Sequence, residues 1–288
     1  MNIDINKQIQ SLTKNVNGFL SPYLVIEKNK LNPFSYKKEN YVITFPFNFT
    51  AGLKKEGEEL IQKLAMVNAV YVKYFFREDN VLDEYHVPTN QYRDFLALMC
   101  EGHIFRNLAV EQFVKMVGEE IIRYINKYEK LYYEALINEK LKTDVSFENV
   151  YDEFYKKTLC YKVMPLCVVF AAFCIITDQH YKIIDCEEMV VNFQIASQII
   201  DDLKDLKKDI LCPDKSVLIK AYMNKFPDIE KDPSVIKQYL LEKEYYQMLI
   251  DKVKEHLSNA KIISEKLKFN LFVEDISNYQ RIVENIKH

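Results

Sequence analysis

The chain has 288 residues, 49% hydrophobic and 28% charged, a balance that fits a globular protein with a sizeable buried core. Its formal net charge of −3 and the lack of any basic stripe exclude the electrostatic footprint of a nucleic-acid binder. Only five glycines occur, none after Gly118, and tryptophan is absent, which argues against the glycine-dependent turns of α/β and sandwich folds and predicts an all-α chain of long helices.

Residues 1–50 are less regular, with Pro22, Pro33 and Pro46 predicting a short helix followed by irregular segments. From Glu56, the apolar positions Leu60, Leu64, Val67, Tyr71 and Phe75 recur every three or four residues and predict a helix that ends in the acidic cluster Asp79-Asn80-Val81-Leu82-Asp83-Glu84. Pro88 breaks that pattern. Further helical blocks cover Gln91 to Lys115 and Val117 to Leu141, and Asp144-Val145-Ser146 offers a cap for the next helix.

That helix, Phe147 to Thr177, is expected to be interrupted and kinked at Pro165. Its most apolar run, Val163 to Thr177, falls short of the roughly 20 residues that span a bilayer, so a core helix and no transmembrane segment are expected. Glu187 to Lys208 reads as one long apolar helix with the acidic end Asp201-Asp202-Leu203-Lys204-Asp205, closed by Cys212-Pro213-Asp214. Lys/Glu-rich amphipathic helices follow, separated by a surface loop from Pro227 to Pro233. No internal repeat or linker appears, and residues 1–288 read as a single domain.

Cys160, Cys167 and Cys174 recur every seventh residue and, with Cys100, Cys186 and Cys212, form no C-x-x-C pair. Small buried hydrophobes explain them better than metal ligands. Free thiols, with no signal peptide at Met1-Asn2-Ile3-Asp4, predict a reducing, cytoplasmic setting.

Both acidic clusters place carboxylates four residues apart, one turn above the other on a helix face. Such a set suits Mg²⁺, which takes a few protein oxygens and shares the rest of its shell with water and phosphate. Either cluster alone is equally a solvated helix end, with Lys204, Lys207 and Lys208 as weak surface partners. The second cluster, however, continues a polar seam, Gln194, Gln198, Asp201 and Asp205, flanked by Ile195, Ile199, Ile200 and Leu203. Glutamines in so apolar a helix must face something polar. Crowded carboxylates also raise one another's pKa, a cost that a bound cation relieves.

In order and spacing these features resemble the trans-prenyl diphosphate synthases and class I terpene synthases. Asp79 to Glu84 is similar to their first aspartate-rich motif, D-D-x-x-D-E, and Gln198 to Asp205 to their second, Q-I-x-D-D-x-x-D. Lys157-Thr158 resembles the K-T pair between them, and Lys208-Asp209 with Lys215 the basic positions behind the second. The resemblance runs from about Glu56 to Ala221.

It implies the isoprenoid synthase fold, a bundle of long helices around a central apolar cavity. It also implies two or three Mg²⁺ ions, with Mn²⁺ an alternative, on Asp79, Asp83, Asp201, Asp202 and Asp205, which are the catalytic and metal residues. The implied substrate is an allylic prenyl diphosphate whose head is bridged by the metals between the two clusters. Asn80, Gln198, Lys157, Lys208 and Lys215 are the implied diphosphate contacts, and Tyr71, Phe75 and Phe76 the aromatic walls. Bulky rings at Phe75 and Phe76, one turn below Asp79, point to a C10 to C20 chain. A homodimer is left open.

The chain departs from the elongating synthases at several positions. Asn80 replaces the second aspartate of the first motif; Gly52-Leu53-Lys54-Lys55 stands for G-K-R, Val72 for a histidine, and Val87-Pro88 for paired arginines. Those residues bind the second substrate, isopentenyl diphosphate. The N-D-x-x-S-x-x-x-E motif of microbial cyclases is also missing. The expectation ranked first is a Mg²⁺-dependent terpene synthase that ionises the allylic diphosphate and cyclises or deprotonates the cation. A short-chain trans-prenyl diphosphate synthase or other prenyltransferase is second, and a catalytically weak subunit of such a synthase third.

Overall fold

The structure is a computed structural model that describes residues 5–24, 44–50, 55–83, 92–141, 145–211, 216–226, 232–242 and 244–285. As expected for an all-α chain, no strand occurs among the described residues. Contacts divide the chain into two compact units, Met1–Ile125 with Val168–His180, and Asn126–Cys167 with Tyr181–His288.

The first unit opens with α1 (Ile5–Leu20) and a short 3₁₀ turn, Ser21–Tyr23. The long α2 (Lys55–Asp83) packs along α3 (Tyr92–Val117) and receives α1 and the 3₁₀ segment Phe45–Thr50 on its flanks. Of the predicted stripe, Leu64, Val67, Tyr71 and Phe75 are buried and Leu60 is half-buried, as the helical period requires. The Tyr71 ring meets Phe113 of α3 edge-on, centroids 5.8 Å apart. Phe49 stacks on Phe173 at 4.6 Å.

Helix α3 ends at Gly118, whose φ of 93° and N–H bond to the Val114 carbonyl at 2.8 Å turn the chain into α4 (Ile121–Leu141). Only glycine adopts that φ without a steric cost from Cβ.

Between Phe147 and Ile176 the chain is helical but changes type. A 3₁₀ turn (Phe147–Asn149) leads into a π-helical turn (Val150–Tyr155), a 3₁₀ stretch containing Pro165 (Leu159–Leu166) and then α5 (Cys167–Ile176). Ser146 has the extended backbone of an N-cap, yet its side chain makes no capping bond, so the expected cap is absent at that residue. Because the segments join, Phe147–Ile176 is long and apolar enough, by length and composition, to cross a membrane, which the shorter run read from sequence is not. Of its most apolar window, 78% is buried inside the protein, the state of a core helix.

The second unit is built on α6 (Ile183–Leu211), followed by α7 (Val217–Lys225), α8 (Pro233–Glu242), α9 (Tyr245–Leu267) and α10 (Asn270–Asn285). Helix α9 lies along α6 and carries a buried stripe of Leu249, Val253, Leu257 and Ala260, with His256 beside it. Phe193 of α6 is fully buried against Phe272 and Tyr279 of α10, at 4.9 Å from each ring. Burying one such ring contributes about 2 kcal/mol.

Cys160, Cys167, Cys174 and Cys186 are buried, and Cys100 is exposed; Cys212 lies outside the described residues. Burial pushes the Cys160 thiol up to about 12, which keeps it protonated and unreactive. Among the described residues after Gly118, left-handed backbone occurs at Asp178, Glu244 and Lys268, with φ of 53°, 56° and 63°.

Candidate active site

The acidic end of α6 is organised around Asp202. One turn earlier on the same helix, Gln198 Nε2 donates to Asp202 Oδ1 at 3.2 Å. From the π-helical turn, the fully buried Tyr155 donates its hydroxyl to Asp202 Oδ2 at 2.5 Å. Desolvation raises the Asp202 carboxyl to about 7; the Tyr155 and Gln198 donors oppose the rise, and Asp209 and Asp201 add to it.

Asp201 is raised as well, first by desolvation and then by Asp205, with Lys204 acting against both. Asp209 is raised by desolvation and by Asp205, and lowered by Ser216 and Lys208. Asp205 is exposed and pairs with Lys208 at 3.5 Å.

The polar seam is therefore real but arranged differently from the linear row read in sequence. An i, i+4 step joins Gln198 to Asp202, not to Asp201, and Asp202 is the half-buried member while Asp201 and Asp205 are exposed. Gln194 is half-buried higher on α6. Lys157 points to solvent and pairs with Glu153 at 2.8 Å, which raises its pKa. Thr158 is buried and donates to the Glu153 carbonyl at 3.2 Å. Lys215 lies outside the described residues.

In the other unit, Asp79 is half-buried at the end of α2, and of Asn80 and Asp83 only the helical backbone is described. Tyr71 and Phe75 are buried and meet edge-on at 5.0 Å, whereas Phe76 is 42% exposed. Two residues before Asp79, Arg77 forms a buried ion pair with Glu101 of α3 and lies 4.6 Å over the Phe105 ring. Tyr74 donates to Glu78 at 2.6 Å. Burial, then the charge of Arg77, lowers the pKa of Lys73.

Sequence reasoning missed Tyr155, Arg77 and Glu101, and a second buried network in which Tyr151 bonds His256 Nε2 at 2.8 Å and His256 Nδ1 bonds Asn192 Oδ1 at 2.7 Å. Tyr151 and His256 line a polar cavity of about 420 Å³ with Lys156 and Lys252. The signal for Tyr155 was present in principle, since a carboxylate among isoleucines needs donors from elsewhere in the fold. Nothing local indicates which aromatic residue supplies one.

The side chains of Asp201, Asp202, Asp205 and Asp209 offer only carboxylate oxygens at the end of α6, the donor type that a hard divalent cation takes, and Asp202 is desolvated with Asp201 and Asp209 as acidic neighbours. Among the described residues no group of three or more His, Cys, Asp or Glu side chains converges as a ready-made metal cage. Mg²⁺ does not need one, because it commonly binds through one or two carboxylates plus water and phosphate.

No protein-family model matches the sequence, and no curated protein sequence matches it significantly. Solved structures do match. Heptaprenyl diphosphate synthase from Staphylococcus aureus is similar with a TM-score of 0.70 at 13% identity, covering 99% of each chain. Geranylgeranyl pyrophosphate synthetase from the archaeon Geoglobus acetivorans gives 0.66 at 19% identity over 96% of this chain and 98% of its own. Polyprenyl synthase from Caulobacter crescentus CB15, complexed with calcium and isoprenyl diphosphate, gives 0.63 at 11% identity over 97% of each. With near-complete coverage of both chains, the protein has the isoprenoid synthase fold, that of the trans-prenyl diphosphate synthases.

Proposed function

We propose that the chain is a divalent-metal-dependent prenyltransferase acting on an allylic prenyl diphosphate. The observation that carries this reading is the end-to-end fold match to prenyl diphosphate synthases. Support comes from the acidic end of α6, where Asp201 and Asp205 are exposed and Asp202 is held by two donors.

In this reading Asp201, Asp202 and Asp205 are the metal ligands of the second acidic cluster, and Asp79 and Asp83 those of the first. Bound Mg²⁺ supplies electrophilic stabilisation of the departing diphosphate. Lys157 and Lys208, both exposed, offer N–H donors to diphosphate oxygens, and Gln198 keeps Asp202 in register. The sequence resemblance assigns diphosphate contacts to Asn80 and Lys215 as well, and aromatic faces to Tyr71, Phe75 and Phe76.

A second reading, a terpene synthase, is favoured by one specific feature. Val72, where chain-elongating synthases carry a histidine, is a buried apolar residue on α2. Incubation with geranyl, farnesyl and geranylgeranyl diphosphate plus Mg²⁺, with and without isopentenyl diphosphate, separates the two. A longer diphosphate formed only with isopentenyl diphosphate is the expected result. Hydrocarbon formed without it favours the cyclase, and no diphosphate release from any substrate defeats both in favour of a non-catalytic subunit.

A further inference from the structure

Tyr155 closes the π-helical turn Val150–Tyr155 and reaches across to α6 to donate to Asp202 Oδ2, while Gln198 occupies Oδ1. Each carboxylate oxygen has two lone pairs, so these bonds orient the group and leave it acceptor capacity on both oxygens.

The turn that carries Tyr155 is itself anchored. It is closed by the Lys156 N–H bonding to the Tyr151 carbonyl at 3.0 Å, the five-residue step of a π-helix. Tyr151 is tied to His256, and His256 to Asn192 of α6. Asn192 Nδ2 donates to the Glu188 carbonyl at 2.8 Å, which makes its Oδ1 the acceptor. His256 therefore carries its proton on Nδ1 and accepts from Tyr151 on Nε2. One turn thus grips α6 directly at Asp202 and, through α9, at Asn192, positions roughly 15 Å apart along the helix axis.

We infer that Tyr155 is a positioning residue for Asp202, orienting the acidic end of α6 for a divalent cation and its diphosphate ligand. The inference rests on the metal-binding role given to that cluster under the proposed function. Fixing a metal ligand from outside its coordination shell is commonly worth about 10-fold in metal affinity.

The test uses the full chain and Mn²⁺ titrated in the presence of inorganic diphosphate, with free Mn²⁺ read by electron paramagnetic resonance. Tyr155→Phe keeps the buried ring and deletes only the hydroxyl. Its apparent Mn²⁺ affinity is expected to fall about 10-fold. Tyr151→Phe, an equally conservative change on the same turn with no bond to Asp202, is expected to weaken affinity less. Unchanged affinity in Tyr155→Phe, or equal losses in the two variants, overturns the positioning role and leaves Tyr155 as core packing. A wild-type chain that binds Mn²⁺ but turns over no prenyl diphosphate defeats the functional reading alone, and one that binds no Mn²⁺ defeats both.

Discussion

Arg77 of α2 and Glu101 of α3 form an ion pair whose side chains are 7% and 0% exposed, two residues ahead of Asp79. Removing one partner of such a pair strands a buried charge, whereas replacing both by apolar residues does not. Arg77→Met is expected to cost about 3 to 5 kcal/mol of unfolding free energy, and Arg77→Met with Glu101→Leu markedly less. Denaturant titration of both variants checks this; a double variant as unstable as the single one would remove the ion pair as the cause.

Asp201 is expected to matter for chemistry and not for folding, because its side chain is exposed at the end of α6. Asp201→Asn should lower turnover of an allylic diphosphate by about 100-fold or more while leaving the helical circular dichroism spectrum unchanged. Near-full activity in that variant would remove the second cluster from the metal site.

How much of this was legible in the residues differs between helices and site. The stripe from Leu64 to Phe75 reads as a helix because its burial follows the period of an ordinary α-helix, and the scarcity of glycine leaves little room for other folds. The winding of Val150–Tyr155 does not read in the same way. Its choice of a π turn is coupled to Tyr151 meeting His256, 105 positions away, and Tyr155 meeting Asp202, 47 positions away. Likewise the acidic clusters announce themselves by spacing, while Arg77–Glu101 and Tyr155–Asp202 depend on which helices become neighbours.

A pH effect follows from His256, whose pKa burial lowers from its ordinary value of 6.5, followed in size by an opposing push from Glu255. Above that value the ring is neutral in both folded and unfolded chains. As pH falls below it, the unfolded chain takes up a proton that the folded chain resists, so stability declines, at most by about 1.4 kcal/mol per pH unit. Unfolding free energies of wild type and His256→Gln, measured from pH 8 down to 5, should diverge, with wild type losing more. Parallel curves would show that His256 contributes nothing to the pH dependence.

Lys268 ends α9 with a φ of 63°, its own N–H bonding to the Glu265 carbonyl at 3.1 Å and the Phe269 N–H to the Ser264 carbonyl at 2.8 Å. A side chain in this left-handed cap costs about 1 kcal/mol relative to glycine. Lys268→Gly is therefore expected to raise the melting temperature by about 2 °C, and Gly118→Ala, with its φ of 93°, to lower it by a similar amount. Differential scanning calorimetry distinguishes the two directions.

The wide turn at Val150–Tyr155 also acts as a one-residue offset in the winding of the chain. Deleting a single residue there would let the segment relax to α-helical pitch, and each residue of an α-helix advances about 100° around its axis. Because the wide turn holds one more residue than an α-helical turn, that relaxation would absorb the deletion and leave Tyr155 near Asp202 and Thr158 inward, whereas the same deletion in an α-helical turn would rotate everything beyond it by that angle. The extra residue and the wide winding that absorbs it belong together, and as a pair they keep Tyr155 directed at α6.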